Sequence, residues 1–219
     1  MARTALIAGS TGLIGQSLLP KLLDSADYGR VIAVSRKPLR LSHPKLANLL
    51  SDFESLQPLQ AQLAADDVFC CLGTTTAKAG GRAGLERVDY HMVLDLARTA
   101  RAAGGQQFLV VSAVGSSLRS PAFYSRVKAR MERSVAEAGY PTVHILRPSL
   151  LLGERGESRP GEEIAQKLAP LLGPLCFGRL ARYHPVTAER VAQAMLVLAL
   201  RAASGLPGGV NLHEFPFPG

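Results

Sequence analysis

Residues 9–15 read Gly9-Ser-Thr-Gly12-Leu-Ile-Gly15 and lie between a strand-like and a helix-like run. Before them, Thr4-Ala-Leu-Ile-Ala8 is apolar enough for a buried parallel strand. After them, Gln16-Ser-Leu-Leu-Pro-Lys-Leu-Leu23 repeats leucine at helical spacing. Strand, glycine turn and helix in that order build a cradle for an anion. Free backbone N–H groups at the helix start point outward, and the helix dipole favours negative charge there. One glycine makes the tight turn, one lets the backbone approach a pyrophosphate, and one lets helix and strand pack closely. The spacing is Gly-x-x-Gly-x-x-Gly rather than Gly-x-Gly-x-x-Gly, so the flanking strand and helix carry the signal. Gly9, Thr11, Gly12, Leu13, Ile14 and Gly15 are the expected cradle residues.

The rest of the chain continues the alternation. Strands are expected at Thr4–Ala8, Arg30–Ser35, Asn48–Leu50, Asp67–Cys71, Gln107–Ser112 and Thr142–Leu146, with a short closing strand near Gly209–Leu212. Helices are expected at Gly15–Asp24, Leu56–Ala64, Gly84–Ala103, Ala122–Ala138, Glu162–Leu172 and Ala188–Ala202. Gly104, Gly105 and Gly139 stand where helix C-caps belong, and Thr187 suits the N-cap of the last helix. This is the pattern of an α/β, Rossmann-like doubly wound parallel sheet. At 219 residues and 47% hydrophobic, residues 1–219 suit one such domain. Residues 153–184, richer in glycine, proline and charge, read as a small substrate-side lobe over the carboxyl edge of the sheet.

Composition narrows the class. No apolar run approaches the ~18 residues of a membrane span, and the amino terminus makes a poor signal peptide. The expectation is a soluble, cytoplasmic protein without a membrane partner. Cys70, Cys71 and Cys176 lack metal-type spacing and read as reduced thiols, Cys70 and Cys71 as small buried side chains. His91 and His184 lack ligand-spaced partners, so no metal is expected, and His144 reads as a satisfied core polar group. The formal charge of +8 comes from scattered Arg and Lys, without a basic block or interleaved aromatics. That argues against nucleic acid and for an anionic ligand.

Three further sites point to chemistry. The second strand ends in Val34-Ser35-Arg36-Lys37 with no acid at the ribose position. Arg36 can fork onto a 2′-phosphate and Lys37 adds charge, which favours NADP(H) over NAD. Asp52 and Phe53 offer a carboxylate and a ring to an adenine, and Leu72, Gly73 and Thr74 offer close backbone and a hydroxyl along the adenosine half. Tyr124-Ser-Arg-Val-Lys128 places phenol and ammonium one helical turn apart. A free phenol ionises near ~10, a nearby cation stabilises phenolate, and a general acid works best near the operating pH. Ser112 at the tip of the preceding strand is placed to hold a substrate oxygen, with Ser116 and Ser117 as rivals. The combination suits hydride transfer between a nicotinamide and a carbonyl or alcohol carbon of a small molecule.

Taken together, Gly9-x-x-Gly12-x-x-Gly15, Asp52-Phe53, Cys71-Leu-Gly-Thr74, Val88-Asp89, Ser112, Tyr124-x-x-x-Lys128 and Leu146-Arg-Pro-Ser149 run in order over nearly the whole chain. In these pieces the chain resembles the short-chain dehydrogenase/reductase superfamily, in its extended or atypical branch. Cys71-Leu-Gly-Thr-Thr75, Arg87-Val-Asp89, and Arg147-Pro followed by Glu157-Ser-Arg-Pro-Gly-Glu162 make it similar to the TIP30 (oxidoreductase HTATIP2) group. The resemblance implies a Rossmann fold with NADP(H) along the strand ends. It puts Ser112, Tyr124 and Lys128 in the catalytic places, Lys128 also at the nicotinamide ribose, and Pro148, Ser149 and Leu150 beside the nicotinamide. Ala113 stands where many members carry a second serine, and Asp89 where many have Asn. Some members of the group are discussed as regulators, so an NADP(H)-binding redox sensor with little catalysis is the second reading. The helices at Gly84–Ala103 and Ala122–Ala138 offer faces for a homodimer.

Overall fold

The computed structural model describes residues 2–152, 184–203 and 208–218. The expected helix Glu162–Leu172, Cys176 and nearly all of the lobe at 153–184 lie outside the described residues. The chain runs β1 (Arg3–Ala8), α1 (Leu13–Asp24), β2 (Tyr28–Ser35), β3 (Leu46–Leu50), a 3₁₀ stretch (Gln57–Leu63) and β4 (Asp67–Cys70). It continues with α2 (Arg82–Glu86), a π-helical stretch (Arg87–Met92), α3 (Val93–Ala102), β5 (Gln107–Val111), α4 (Phe123–Ala136) and β6 (Thr142–Arg147). Last come β7 (Leu151–Leu152), β8 (Val186–Thr187), a helix α5 (Ala188–Ala203) and β9 (Gly209–Glu214).

Seven strands form one sheet in the order β3-β2-β1-β4-β5-β6-β9, every pairing parallel. A strand buried on both faces sends alternate side chains to opposite layers. Ala5 and Ile7 join Leu18, Leu22, Val191 and Met195 on the α1/α5 side. Leu6 and Ala8 join Val93, Leu96, Met131 and Val135 on the α3/α4 side. The chain builds outward from β1 through β2 to β3, then reverses through β4, β5 and β6. The reversal opens a crevice at the carboxyl ends of β1 and β4, where ligands bind in such sheets.

Two expected helices differ in detail. Leu56–Ala64 is 3₁₀ over Gln57–Leu63, with Pro58 in its first turn. The expected Gly84–Ala103 helix is α2, a π turn and α3 in succession. Thr187 caps α5 as expected, its Oγ1 accepting from Arg190 N at 3.2 Å. His144 Nδ1 meets His213 Nε2 at 3.0 Å, while its own Nε2 is buried without a partner, so it is a half-satisfied core group. Burial, with His213 beside it, pushes His144 down to about 4.

Candidate active site at the strand reversal

The glycine turn follows β1 at the crevice. Gly9 has φ +85°, and a Cβ there would meet the Cys71 carbonyl at 2.6 Å. A Cβ on Gly15 would come within 2.1 Å of Gly9 O. Gly12 is different: its φ is −80°, and its closest clash would be 3.3 Å from Gly9 O. Gly9 and Gly15 are therefore demanded by the protein's own packing, and Gly12 much less so. The start of α1 has no side-chain cap and no acid in its first turn. Its leading N–H groups lack acceptors within the helix, and Thr11 and Gly12 beside them are exposed. An anion fits this cradle. Gly15→Ala is expected to lower Tm by roughly 6–12 °C, the effect of about 3 kcal/mol of overpacking. Gly12→Ala is expected to stay within about 3 °C of wild type and to show itself as weaker dinucleotide affinity. Differential scanning fluorimetry beside a binding titration checks both.

At the end of β2, Arg36 and Lys37 are exposed, and neither side chain has a hydrogen-bond or ion-pair partner among the described residues. The turn that carries them is tied down. Ser35 Oγ donates to Lys37 O at 2.7 Å, and Asn48 Nδ2 donates to Ser35 Oγ at 2.8 Å and Ala33 O at 2.9 Å. Asn48 Oδ1 also accepts from Leu39 N. Asn48 was not anticipated, since an Asn in a short edge strand carries no distinctive pattern. Asp52 is exposed, with Oδ1 accepting from Glu54 N at 2.9 Å. Phe53, at φ 63°, packs in the core beside Leu56, rather than presenting its ring at the surface.

The polar centre lies where β4, β5 and α4 meet. Lys128 is 2% exposed. Its Nζ lies 2.8 Å from Asp89 Oδ1, 3.1 Å from Val111 O, and 5.9 Å from the centroid of the Tyr124 ring. Asp89, fully buried, also accepts from Thr74 N at 2.9 Å through Oδ2. One carboxylate thus joins the ammonium to the loop after β4. A Cβ on Gly73 would sit 3.5 Å from Asp89 and 4.0 Å from Lys128 Nζ, so that loop passes directly over the pair. Burial works to lower the Lys128 pKa, but Tyr124 and Asp89 outweigh it and the net direction is upward. The lysine is a cation at neutral pH. Asp89 sits on the π turn, a rare geometry concentrated at functional sites. Tyr124 remains 38% exposed.

Ser112 is placed differently from the expectation that it holds a substrate oxygen. It is 3% exposed, and its hydroxyl donates to Glu132 Oε1 at 2.5 Å. Ser116 Oγ donates to Ala113 O at 2.7 Å. Glu132 was missed from sequence, although Tyr124, Lys128 and Glu132 repeat at four-residue spacing, which puts all three on one helix face. Pro148 is buried with its carbonyl accepting from Val114 N at 2.9 Å, Ser149 Oγ donates to His184 O, and Leu150 O accepts from Val186 N. Those three residues form the link from β6 to β7 beside the β5 tip.

Burial pushes the Cys70 thiol up to about 12 and raises Cys71 as well, so neither is a ready thiolate. His91 lies edge-on to Tyr90, and His184 stacks on Phe215. Among the described residues, no three His, Cys, Asp or Glu side chains gather as for a metal ion. No helix among them is long and apolar enough to cross a membrane.

Comparison with known proteins gives the family and the fold. A family profile described as NAD(P)H-binding matches residues 9–167. The protein fmp52, mitochondrial, of Aspergillus clavatus is 36% identical over 217 residues, spanning 95% of this chain and 92% of its own. The protein HTATIP2 of Rattus norvegicus is 34% identical over 211 residues, spanning 93% and 84%. An oxidoreductase of the short-chain dehydrogenase/reductase family from Burkholderia thailandensis superposes with a TM-score of 0.66 at 22% identity, covering 97% of this chain and 91% of that one. At that identity the likeness is one of fold. The comparison also corrects the expectation of a cytoplasmic protein, because the Fmp52 relatives are mitochondrial by name. Composition could not reveal this: a compartment address is read by a receptor and is not a property of a folded core.

Proposed function

The chain belongs to the NAD(P)H-binding family and is a relative of the Fmp52 and HTATIP2 proteins, and from that premise we propose that it is an NADP(H)-dependent oxidoreductase acting on a carbonyl or alcohol carbon. The observation that carries this reading is the Tyr124–Lys128 couple, with Lys128 Nζ 5.9 Å from the ring, beside the loop after β4 and within the reversal crevice. When bound, the nicotinamide supplies or accepts the hydride. Tyr124 exchanges the proton at the substrate oxygen. Lys128 sets a fixed cation beside the ring, which favours negative charge as it develops on the phenolic oxygen, and reaches toward the nicotinamide ribose. Asp89 holds Lys128 and Thr74 in one arrangement. Gly9, Gly12 and Gly15 with the start of α1 hold the pyrophosphate, and Arg36 with Lys37 holds the 2′-phosphate. Asp52 and the segments Leu72–Thr74 and Pro148–Leu150 flank the adenosine and nicotinamide halves. Ser112 belongs to the same junction, but its single proton lies on Glu132.

A thermal-shift series tests the cofactor assignment. A ligand at 100 times its Kd adds about 2.7 kcal/mol, a Tm rise of roughly 5–10 °C in a chain of this size. NADPH is expected to produce that rise at concentrations where NADH does not. Arg36→Ala is expected to weaken NADPH by about 10–100-fold, the loss of charge-assisted hydrogen bonds to phosphate, and to leave NADH unchanged. Equal shifts from both dinucleotides would overturn the NADP assignment. No shift from either would overturn the cofactor reading itself.

A further inference from the structure

Two adjacent residues at the tip of β5 grip two residues one turn apart on α4. Val111 O accepts from Lys128 Nζ at 3.1 Å, and Ser112 Oγ donates to Glu132 Oε1 at 2.5 Å. Lys128 and Glu132 share a helix face because they are four positions apart. Behind this pair of rungs, Arg147 at the end of β6 closes on Glu132 from the far side. Its Nε lies 2.9 Å from Oε1 and its Nη2 lies 2.6 Å from Oε2, a two-pronged grip that fixes the carboxylate in plane. Ser112 N donates to Leu146 O at 2.7 Å, so β5 and β6 are already joined at this level.

Counting hydrogens removes one role for Ser112. A serine hydroxyl has one proton, and a carboxylate facing a guanidinium only accepts. The Ser112 proton is on Glu132, and the Ser116 proton is on Ala113 O. The two hydroxyl oxygens also lie 3.3 Å apart, where either can donate, so in this arrangement both serines are engaged by protein acceptors rather than turned toward the crevice.

We propose that Glu132 is a positioning residue for Lys128: it draws Ser112 into a latch between α4 and β5 and so sets the Val111 carbonyl that aims the ammonium. Ser112 acts through this latch and not as a donor to substrate. The proposal rests on the reading above, in which Lys128 reaches the nicotinamide ribose, because that contact makes its aim measurable without a known substrate.

The experiment is a fluorescence titration of the full chain with NADPH, with Tm recorded for each variant. Ser112→Ala and the double variant Glu132→Met/Arg147→Met are both expected to raise the NADPH Kd by about tenfold, the scale of one hydrogen bond to a charged group. The double variant replaces a buried ion pair with apolar side chains of similar volume, a change that is often neutral or stabilising. It also releases Glu214 from Arg147, 3.5 Å away, and the buried Ser112 hydroxyl from Glu132, so a lower Tm is expected and the titration is run well below it, which separates loss of aim from loss of fold even where Ser112→Ala folds poorly. Tyr124→Phe serves as the contrast, holding NADPH affinity within a few-fold because the latch is intact. NADPH affinity equal to wild type in the double variant would overturn the proposal. Wild-type chain that binds neither NADPH nor NADH would instead remove the cofactor reading on which it stands.

Discussion

Tyr124→Phe is expected to lower kcat by about 10²–10⁴-fold, the range contributed by a positioned general acid or base, with Tm near wild type. The substitution removes one oxygen from a side chain that is 38% exposed. That oxygen has no hydrogen-bond partner among the described residues, so little stability rests on it. The ring stays in place over Lys128, 5.9 Å from Nζ. What disappears is the phenolic proton that the proposed function assigns to the substrate oxygen. The check is NADPH consumption with the best substrate from a panel of carbonyls and quinones, run beside Tm and NADPH affinity. Full activity in the variant would rule out proton exchange by this phenol. A wild-type chain that binds NADPH tightly yet consumes it with no member of the panel would favour a sensor.

Asp89→Ala is expected to have the largest effect on stability. It would leave the Lys128 ammonium, 2% exposed, facing Val111 O alone, and would leave Thr74 N without its acceptor. Removing one partner of a buried ion pair costs about 3–5 kcal/mol, which corresponds to a Tm lower by roughly 6–20 °C. Asp89→Asn keeps an acceptor for Thr74 N and loses only the charge, so its deficit should be smaller. The pH dependence has a definite sign. In the wild type the lysine pKa is raised, so its contribution to stability is full at neutral pH and is lost only as pH climbs above the ordinary lysine range. Without Asp89 the first cause, burial, acts with less opposition and disfavours the charged form. With Tyr124 left as the chief opposing group, the folded-state pKa falls from its wild-type position, and the variant gives up its lysine proton at lower pH than the wild type does. The Tm gap between Asp89→Ala and wild type should therefore narrow from pH 7 toward pH 10. A constant gap would mean that Lys128 does not depend on Asp89 for its charge.

The order of elements was legible because each leaves a local signature. Continuous apolar runs marked β1, β4, β5 and β6, leucine spacing marked α1, and the glycine turn marked the crevice. Errors fell where a local pattern has more than one physical outcome. The run at 84–103 has helical spacing throughout, and spacing does not distinguish an α turn from the π turn that seats Asp89. Phe53 next to Asp52 reads equally as a base-stacking ring or a core ring, and its burial in the α3/α4-side core decided it.

The amino-acid sequence alone determined the fold class, the glycine turn between β1 and α1 and the presence of a phenol and an ammonium on one helix face. Those features depend on near neighbours in the chain: turn glycines, strand runs and four-residue spacing. Tertiary structure decided which partner each polar group found. Asp89 reaches Lys128 across 39 positions and Ser112 reaches Glu132 across 20, and no periodicity encodes a pairing made between separate elements. Such contacts form because a buried charge or hydroxyl must be satisfied by whatever donor or acceptor the packing brings within about 3 Å.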